Sequence, residues 1–311
     1  MLTIGKYHKN DHNNFVDLID ECFWLQSQKK YDLVHWKFHT QLFSHKNRII
    51  CAYDEWKIVW QYSNIAYNFS KGDASIEWYL CQDMCVSKSH RRQWLITKMS
   101  TKLYDSIDKK TFTIWFSNSQ WVKVDKNSNG YWYNVIDNLT SFYFPAIYKK
   151  EWYSFREIKS TSDFDTINFQ DFNLFKKLLC FTKMKKYIKW RYLDKPEANY
   201  SMYHIQKDNK SVWFCIFKYV NKIATLYDFN CVKTVNTKKL MYTFKNICFN
   251  ERYFIFRIIV LENLFWKDIF KWFLNIKKKE EIYFTVKKHN NFDSFDILEK
   301  EKWGIIWGDI L

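Results

Sequence analysis

Apolar and polar residues recur along the chain with periods that sort it into strands and helices. Ile76 to Val86 (IEWYLCQDMCV) is a run of β-branched, aromatic and aliphatic residues bounded by polar ones, which predicts a strand. After it Leu95, Met99, Leu103 and Ile107 recur at i, i+4 spacing, one face of a helix. Between the two lies a basic turn, Ser87-Lys88-Ser89-His90-Arg91-Arg92-Gln93-Trp94. Strand, tight turn and helix N-terminus together make a geometry that holds phosphate, because free N–H groups and the helix dipole point at the anion.

The rest of the pattern is organised around that unit. Phe15 to Phe23 places Phe15, Leu18, Ile19 and Cys22 on one face and predicts a first helix. Arg48 to Tyr53 and Lys57 to Tyr62 alternate on either side of Asp54-Glu55-Trp56 and predict a hairpin. Thr111 to Phe116 predicts a strand parallel to the one before the helix, since strand, helix and strand form a crossover. Ser117-Asn118-Ser119 ends it, and Tyr131 to Ile136 is expected to return as a strand.

From Glu157 to Phe169 Ser, Thr and Asp concentrate, and then the pattern starts again. Phe172, Phe175, Lys176 and Leu179 predict a helix, and Trp190-Arg191-Tyr192 echoes Trp36-Lys37-Phe38. Ser201 to Gln206 and Ser211 to Lys218 echo the first hairpin. Ile223 to Phe229 echoes the strand before the loop, with Asp228 where Asp83 stood, and Tyr253 to Leu261 echoes the strand that leads to Asn118. An offset of about 150 residues held across these elements predicts two lobes, residues 1–156 and 157–311. The second lobe reads Val232-Lys233-Thr234-Val235-Asn236-Thr237-Lys238-Lys239 in place of the basic turn, so a phosphate site is expected in the first lobe alone.

Composition narrows the function classes. The 311 residues contain no uninterrupted apolar run of membrane-spanning length, and the N-terminus lacks the apolar core of a secretory signal. A soluble cytoplasmic protein with no membrane partner is therefore expected. Eight cysteines without paired spacing fit reduced thiols. Cys81 and Cys85 share one strand and have no Cys/His pair at zinc-like spacing, so no metal site is expected. The net charge of +16 raises nucleic acid as a partner. Abundant Lys, Asn, Ile, Phe and Tyr together are what AT-rich coding produces, however, and Lys185-Lys186 and Lys277-Lys278-Lys279 read as solvated faces. Nucleic acid is not expected, whereas a positive surface suits an anionic co-substrate.

Glycine is scarce and tryptophan abundant: 5 Gly against 16 Trp. Average usage of about 7% predicts roughly 22 glycines in a chain of this length. Several tryptophans stand where turns or close backbone approaches are expected, among them Trp56 in the hairpin, Trp94 in the basic turn and Trp307 beside Gly308. The pattern suggests that many Trp letters stand for UGA codons read as glycine in the source.

The residues now assembled carry a resemblance. Ile58-Val59-Trp60-Gln61-Tyr62, Gln82-Asp83-Met84-Cys85-Val86 running into Arg91-Arg92-Gln93-Trp94-Leu95-Ile96, and Phe116-Ser117-Asn118 with Tyr131-Trp132-Tyr133 resemble, in order and spacing, the GNAT superfamily of acyl-CoA-dependent N-acyltransferases. The whole chain resembles its tandem, two-lobe members. Reading Trp60, Trp94, Trp115 and Trp132 as glycine improves every segment, while Ile96 departs from the Gly or Ala common in the family.

The resemblance implies an α/β (α+β) fold of two tandem lobes, each a mixed, mostly antiparallel sheet flanked by helices. It further implies acetyl-CoA or another acyl-CoA as co-substrate, and transfer to the amine of a small molecule or amino sugar. On that reading the cofactor would be held by the backbone from Arg91 through Arg92, Gln93, Trp94, Leu95, Ile96 and Thr97, by the two arginines, and by Asn118, which otherwise caps the next helix. Cys85 and Val86 would polarise the thioester carbonyl. Asp83 or Glu77 would take the amine proton, and Tyr131 or Tyr133 would protonate the leaving thiolate; structural roles stand open for all four. Trp36 and Trp190 are taken as true tryptophans packing against their lobes. Cys85 as a covalent nucleophile lacks a histidine at a suggestive position. The competing reading is a non-catalytic tandem module, favoured if the indole of Trp94 fills the diphosphate's place.

Overall fold

The computed structural model describes residues 2–306 except 24, 26–28, 41–42, 73, 92–94, 109, 128–131, 149–152, 170–171, 173–177, 198, 233 and 290–295. The first half runs β1 (Leu2–Lys6), α1 (His12–Phe23), α2 (Lys30–His39), β2 (Arg48–Asp54), β3 (Lys57–Lys71), β4 (Ala74–Val86), α3 (Leu95–Asp105), β5 (Phe112–Asn118), α4 (Trp121–Asn127) and β6 (Asn134–Pro145). The second runs β7 (Ser154–Ile158), α5 (Thr161–Asp165), β8 (Cys180–Phe181), α6 (Lys185–Ile188), β9 (Ser201–Lys207), β10 (Lys210–Val220), β11 (Ile223–Cys231), α7 (Thr237–Asn250), β12 (Ile255–Leu261), α8 (Leu264–Phe270) and β13 (Ile276–Lys288).

Among the described residues all these strands join one sheet, ordered β1-β2-β3-β4-β5-β13-β6-β12-β11-β10-β9-β7, with β8 beside β3. Read inward from its two edges the sheet repeats itself. The pairs β4–β5 and β11–β12 are parallel, each bridged by a crossover helix, and their neighbours are antiparallel. Each half then lends its last strand to the other: β13 lies against β5 and β6 against β12. The sheet expected for each lobe is thus part of one continuous sheet, because the exchange satisfies edges that would otherwise present unpaired N–H and C=O groups.

Helices cover both faces where the apolar periodicity demands it. In α1 Phe15, Val16, Leu18 and Ile19 are buried; in α3 Met99 and Leu103 are, each adding about 2–3 kcal/mol of burial. Helix α3 ends at Asp105, so Ile107 is buried just beyond it and not within it. The hairpin turn Asp208-Asn209 has φ of +50° and +61°, which Asp and Asn tolerate.

Two expectations shift. The strand expected from Tyr131 begins at Asn134, and Tyr131 itself lies outside the described residues. Most of the helix expected from Phe172 to Leu179 also lies outside them; Phe172 and Leu179 form single β-bridges, with Val232 and Trp303.

Candidate functional site

Strands β4 and β5 touch only at Tyr79↔Thr113 and Leu80↔Ile114. On its other side β4 stays paired with β3 as far as Val86. Beyond Leu80, therefore, β4 and β5 part, and one edge of residues 81–86 faces a gap. The same stretch carries a bulge: Gln61 opposes Cys85 and Ser63 opposes Gln82, leaving Asp83 and Met84 opposite Tyr62. Asp83 takes φ +49°, a left-handed conformation that costs a non-glycine residue about 1–2 kcal/mol.

The second half repeats the bulge but closes the gap. Ile216 opposes Asp228 and Phe217 opposes Leu226, so Tyr227 is the extra residue. Beyond the last parallel pair, Leu226↔Ile258, the free edge of β12 is met by the C-terminal segment: Leu261 N–H donates to the Ile305 carbonyl at 3.2 Å, and Val260 bridges Ile306. Among the described residues no strand does this in the first half.

The basic turn after β4 is braced by a carboxylate that sequence reasoning missed. Glu21 accepts the Lys88 N–H at 2.7 Å and the Ser87 hydroxyl at 3.1 Å, and the Lys88 N–H holds its pKa below the usual value. The signal is faint because Glu21 and Lys88 are distant in sequence and neither belongs to a motif. Arg91 follows with extended backbone and an exposed side chain. Arg92, Gln93 and Trp94 lie outside the described residues. Leu95, Ile96 and Thr97 open α3, where the first N–H groups have no acceptor within the helix.

The titratable candidates separate. Asp83 is partly exposed beside the gap, with Lys37 of α2 donating to its Oδ2 at 2.5 Å. Glu77 lies on the closed side of the parallel contact, ion-paired to Lys46 and accepting the Tyr79 hydroxyl at 3.3 Å. Nine residues of strand at about 3.3 Å each keep it from Val86, so it is not brought to the gap. Tyr133 is buried, its hydroxyl 3.5 Å from that of Tyr62, which in turn lies 2.7 Å from that of Tyr104. Burial pushes all three phenols far up, so they stay protonated, are weak acids and serve as hydrogen-bond partners. Burial likewise raises the Cys85 thiol, which disfavours a thiolate nucleophile. Asn118 Oδ1 accepts the N–H groups of Gln120 and Trp121, both at 3.0 Å, and so caps α4.

A second carboxylate was not anticipated. Asp125 of α4 accepts the Ser117 hydroxyl at 2.8 Å, and burial raises its pKa to about 6. It lines a cleft of about 590 Å³ with Tyr133, Lys279 and Tyr283. Its only sequence trace is a lone Asp in a lysine-rich helix.

Buried polar groups on β3 and β4 lack partners. Both amide atoms of Gln82, at the bulge, and the hydroxyl of Tyr67, whose backbone lies opposite Trp78 further along β3, have no hydrogen-bond partner among the described residues. Each such group costs roughly 1–3 kcal/mol, which a polar ligand would recover. Among the described residues no His, Cys, Asp and Glu group is arranged to hold a metal, and no helix is long and apolar enough to cross a membrane.

No protein-family model matches the chain, and no curated protein matches it in sequence. Solved structures do match in shape. A protein of unknown function from Enterococcus faecalis V583, described as a probable N-acyltransferase, superposes with TM-score 0.69 at 8% identity, over 92% of this chain and 72% of that one. A GCN5-related N-acetyltransferase from Anabaena variabilis gives 0.68 at 9%, over 93% and 73%. N-myristoyltransferase from Saccharomyces cerevisiae with bound myristoyl-CoA gives 0.56 at 12%, over 94% and 81%. At such identities the likeness bears on architecture, and with the parting strands and the bulge it shows that this chain has the GNAT fold.

Proposed function

We propose that the protein is an acyl-CoA-dependent N-acyltransferase, with acetyl-CoA the first candidate donor and a small-molecule amine or amino sugar the acceptor. The observation that carries this is the parting of β4 and β5 above Leu80, beside the bulge at Asp83. An opened strand edge offers backbone groups to an extended ligand, and the helix N-terminus at Leu95 offers N–H groups to its phosphates. The residue-by-residue reading that goes with it has the donor along Cys85, Val86 and the turn from Arg91 to Thr97, in a first lobe of residues 1–156. The filled gap of the second half supports a single donor site per chain.

In the reaction the acceptor nitrogen bonds to the thioester carbonyl carbon, the C–S bond breaks, the nitrogen loses a proton and the thiolate gains one. Asp83 is the carboxylate suited to take the first proton, directly or through water. Tyr133 and Tyr131 are the candidates for the second role by sequence; burial keeps the Tyr133 phenol protonated but also makes it a weak acid, so proton delivery through it would need the thiolate to form close by. The unpartnered groups of Gln82 and Tyr67 suit a polar acceptor. A slim residue at position 94 belongs to the same proposal, and peptide mass spectrometry of the natural protein distinguishes glycine from tryptophan there. Acyl transfer is tested by following free thiol release from acetyl-CoA against a panel of amines. Amine-dependent release supports the assignment, and release that no amine stimulates contradicts it.

A further inference from the structure

The last strands of the sheet end in a patch that the proposed chemistry does not use. Phe254 is 68% exposed, Ile255 43%, Ile147 56%, Tyr148 48%, Leu274 83% and Ile276 74%. They are neighbours, because β13, β6 and β12 lie side by side: Ile276 opposes Tyr143, Tyr143 opposes Arg257, and Ile255 opposes Pro145. Ala146 N–H donates to the Phe254 carbonyl at 2.9 Å, and Phe249 lies between Tyr148 and Phe254 with ring centroids 6.1 and 6.3 Å away. Three strand ends at about 4.8 Å spacing thus gather exposed apolar residues at one end of the sheet, Ile255 and Ile276 on one face and Phe254 and Tyr148 with Phe249 on the other, where isolated exposed apolar residues are the ordinary case.

The charge around it is positive. Arg252 and Lys278 flank the patch with no carboxylate within ion-pair distance among the described residues, and in sequence Lys149-Lys150-Glu151 follows Tyr148. The neighbouring carboxylates are Glu251, Glu280, which accepts the hydroxyl of Ser141 opposite Lys278, and Glu262, paired to Lys277; the chain as a whole carries +16. Such a balance opposes pairing of two copies through this face and favours a negatively charged partner. An apolar end with Arg252 and Lys278 beside it matches the boundary of an anionic bilayer, in which aromatic and aliphatic side chains enter the headgroup layer and cations meet lipid phosphates. Because β13 runs antiparallel to β5, with Ile282 opposite Asn118, the patch lies on the sheet edge toward which the gap between β4 and β5 opens.

We infer that the end of the sheet formed by Phe254, Ile255, Ile147, Tyr148, Leu274 and Ile276 seats the protein on the surface of an anionic membrane. The absence of a spanning segment in the sequence concerns insertion; this contact is peripheral and does not depend on the acyltransferase assignment. Flotation of the full chain with phosphatidylcholine vesicles, with and without phosphatidylglycerol, tests it. The bound-to-free ratio is expected to rise on the order of tenfold with the anionic lipid and to fall in high salt. The exposed pair L274S/I276S, with an unchanged melting temperature, is expected to lower it on the order of tenfold. R252Q/K278Q is expected to remove the preference for anionic lipid. Equal flotation of L274S/I276S and the parent overturns the inference, as does no flotation with anionic vesicles. A dimer in light scattering that L274S/I276S disperses also overturns it, by assigning the face to a second copy.

Discussion

Trp36 and Trp190, equivalent residues of the two halves, stack on each other with ring centroids 4.8 Å apart and planes inclined by 17°. Each donates its Nε1–H to the other's backbone carbonyl, Trp36 at 2.9 Å and Trp190 at 3.4 Å. The sequence suggests that each packs within its own half; the structure joins them in one contact between the two halves of the chain. Replacing either by Ala is expected to cost about 3–5 kcal/mol. A double-mutant cycle in chemical denaturation should show coupling of about 1 kcal/mol, and strictly additive losses would contradict the contact.

That pair shows why the fold was more legible than its assembly. Local periodicity located β2 to β5, α1 and α3, and β9 to β12 in the second half, since these carry an apolar run or face. Helix α7 was not read from the sequence, and most of the segment expected to match α1 lies outside the described residues. The exchange of β6 and β13 left no trace, because a strand reads the same whichever neighbour it finds. At the site the bulge was hidden: Asp83 looks like an ordinary strand residue, and only the register against β3 reveals its left-handed backbone. Glu77 shared its strand and so seemed equally placed, but distance along the strand separates the two.

Asp228, the counterpart of Asp83, is fully buried, ion-paired to Lys183 and accepting the Tyr192 hydroxyl at 2.9 Å. Asp228→Asn leaves the Lys183 ammonium buried beside a neutral amide. A loss of about 3–5 kcal/mol is expected in thermal or urea unfolding. A change below about 1 kcal/mol would mean that the pair is solvated.

His39 lies in a group with His12 and His35, and the Tyr7 hydroxyl and His39 Nε2 are hydrogen-bonded at 3.0 Å. Burial first, then the charges of His12, His35 and Lys9, lower its pKa from 6.5 to about 4. The unfolded chain takes up this proton first as pH falls, so stability declines between pH 6.5 and 4 and is retained above that window. With solvent screening the decline attributable to His39 is about 1–2 kcal/mol. His39→Gln should flatten that part of the stability profile, and an unchanged slope would contradict the assignment.

Asp83→Asn is expected to lower kcat by about 10²–10⁴ while leaving acyl-CoA affinity within about twofold. Glu77→Gln, away from the gap, is expected to change neither by more than about twofold. Steady-state kinetics with parallel binding measurements separates these outcomes, and equal losses in both variants would contradict the placement of the base.

Calorimetric titration of the purified chain with acetyl-CoA bears most directly on whether the first half's opened strand edge receives the donor. One saturable site per chain is expected, weakened on the order of tenfold by Arg91→Ala through a lost phosphate contact. The absence of saturable binding, or two equal sites per chain, would contradict the account.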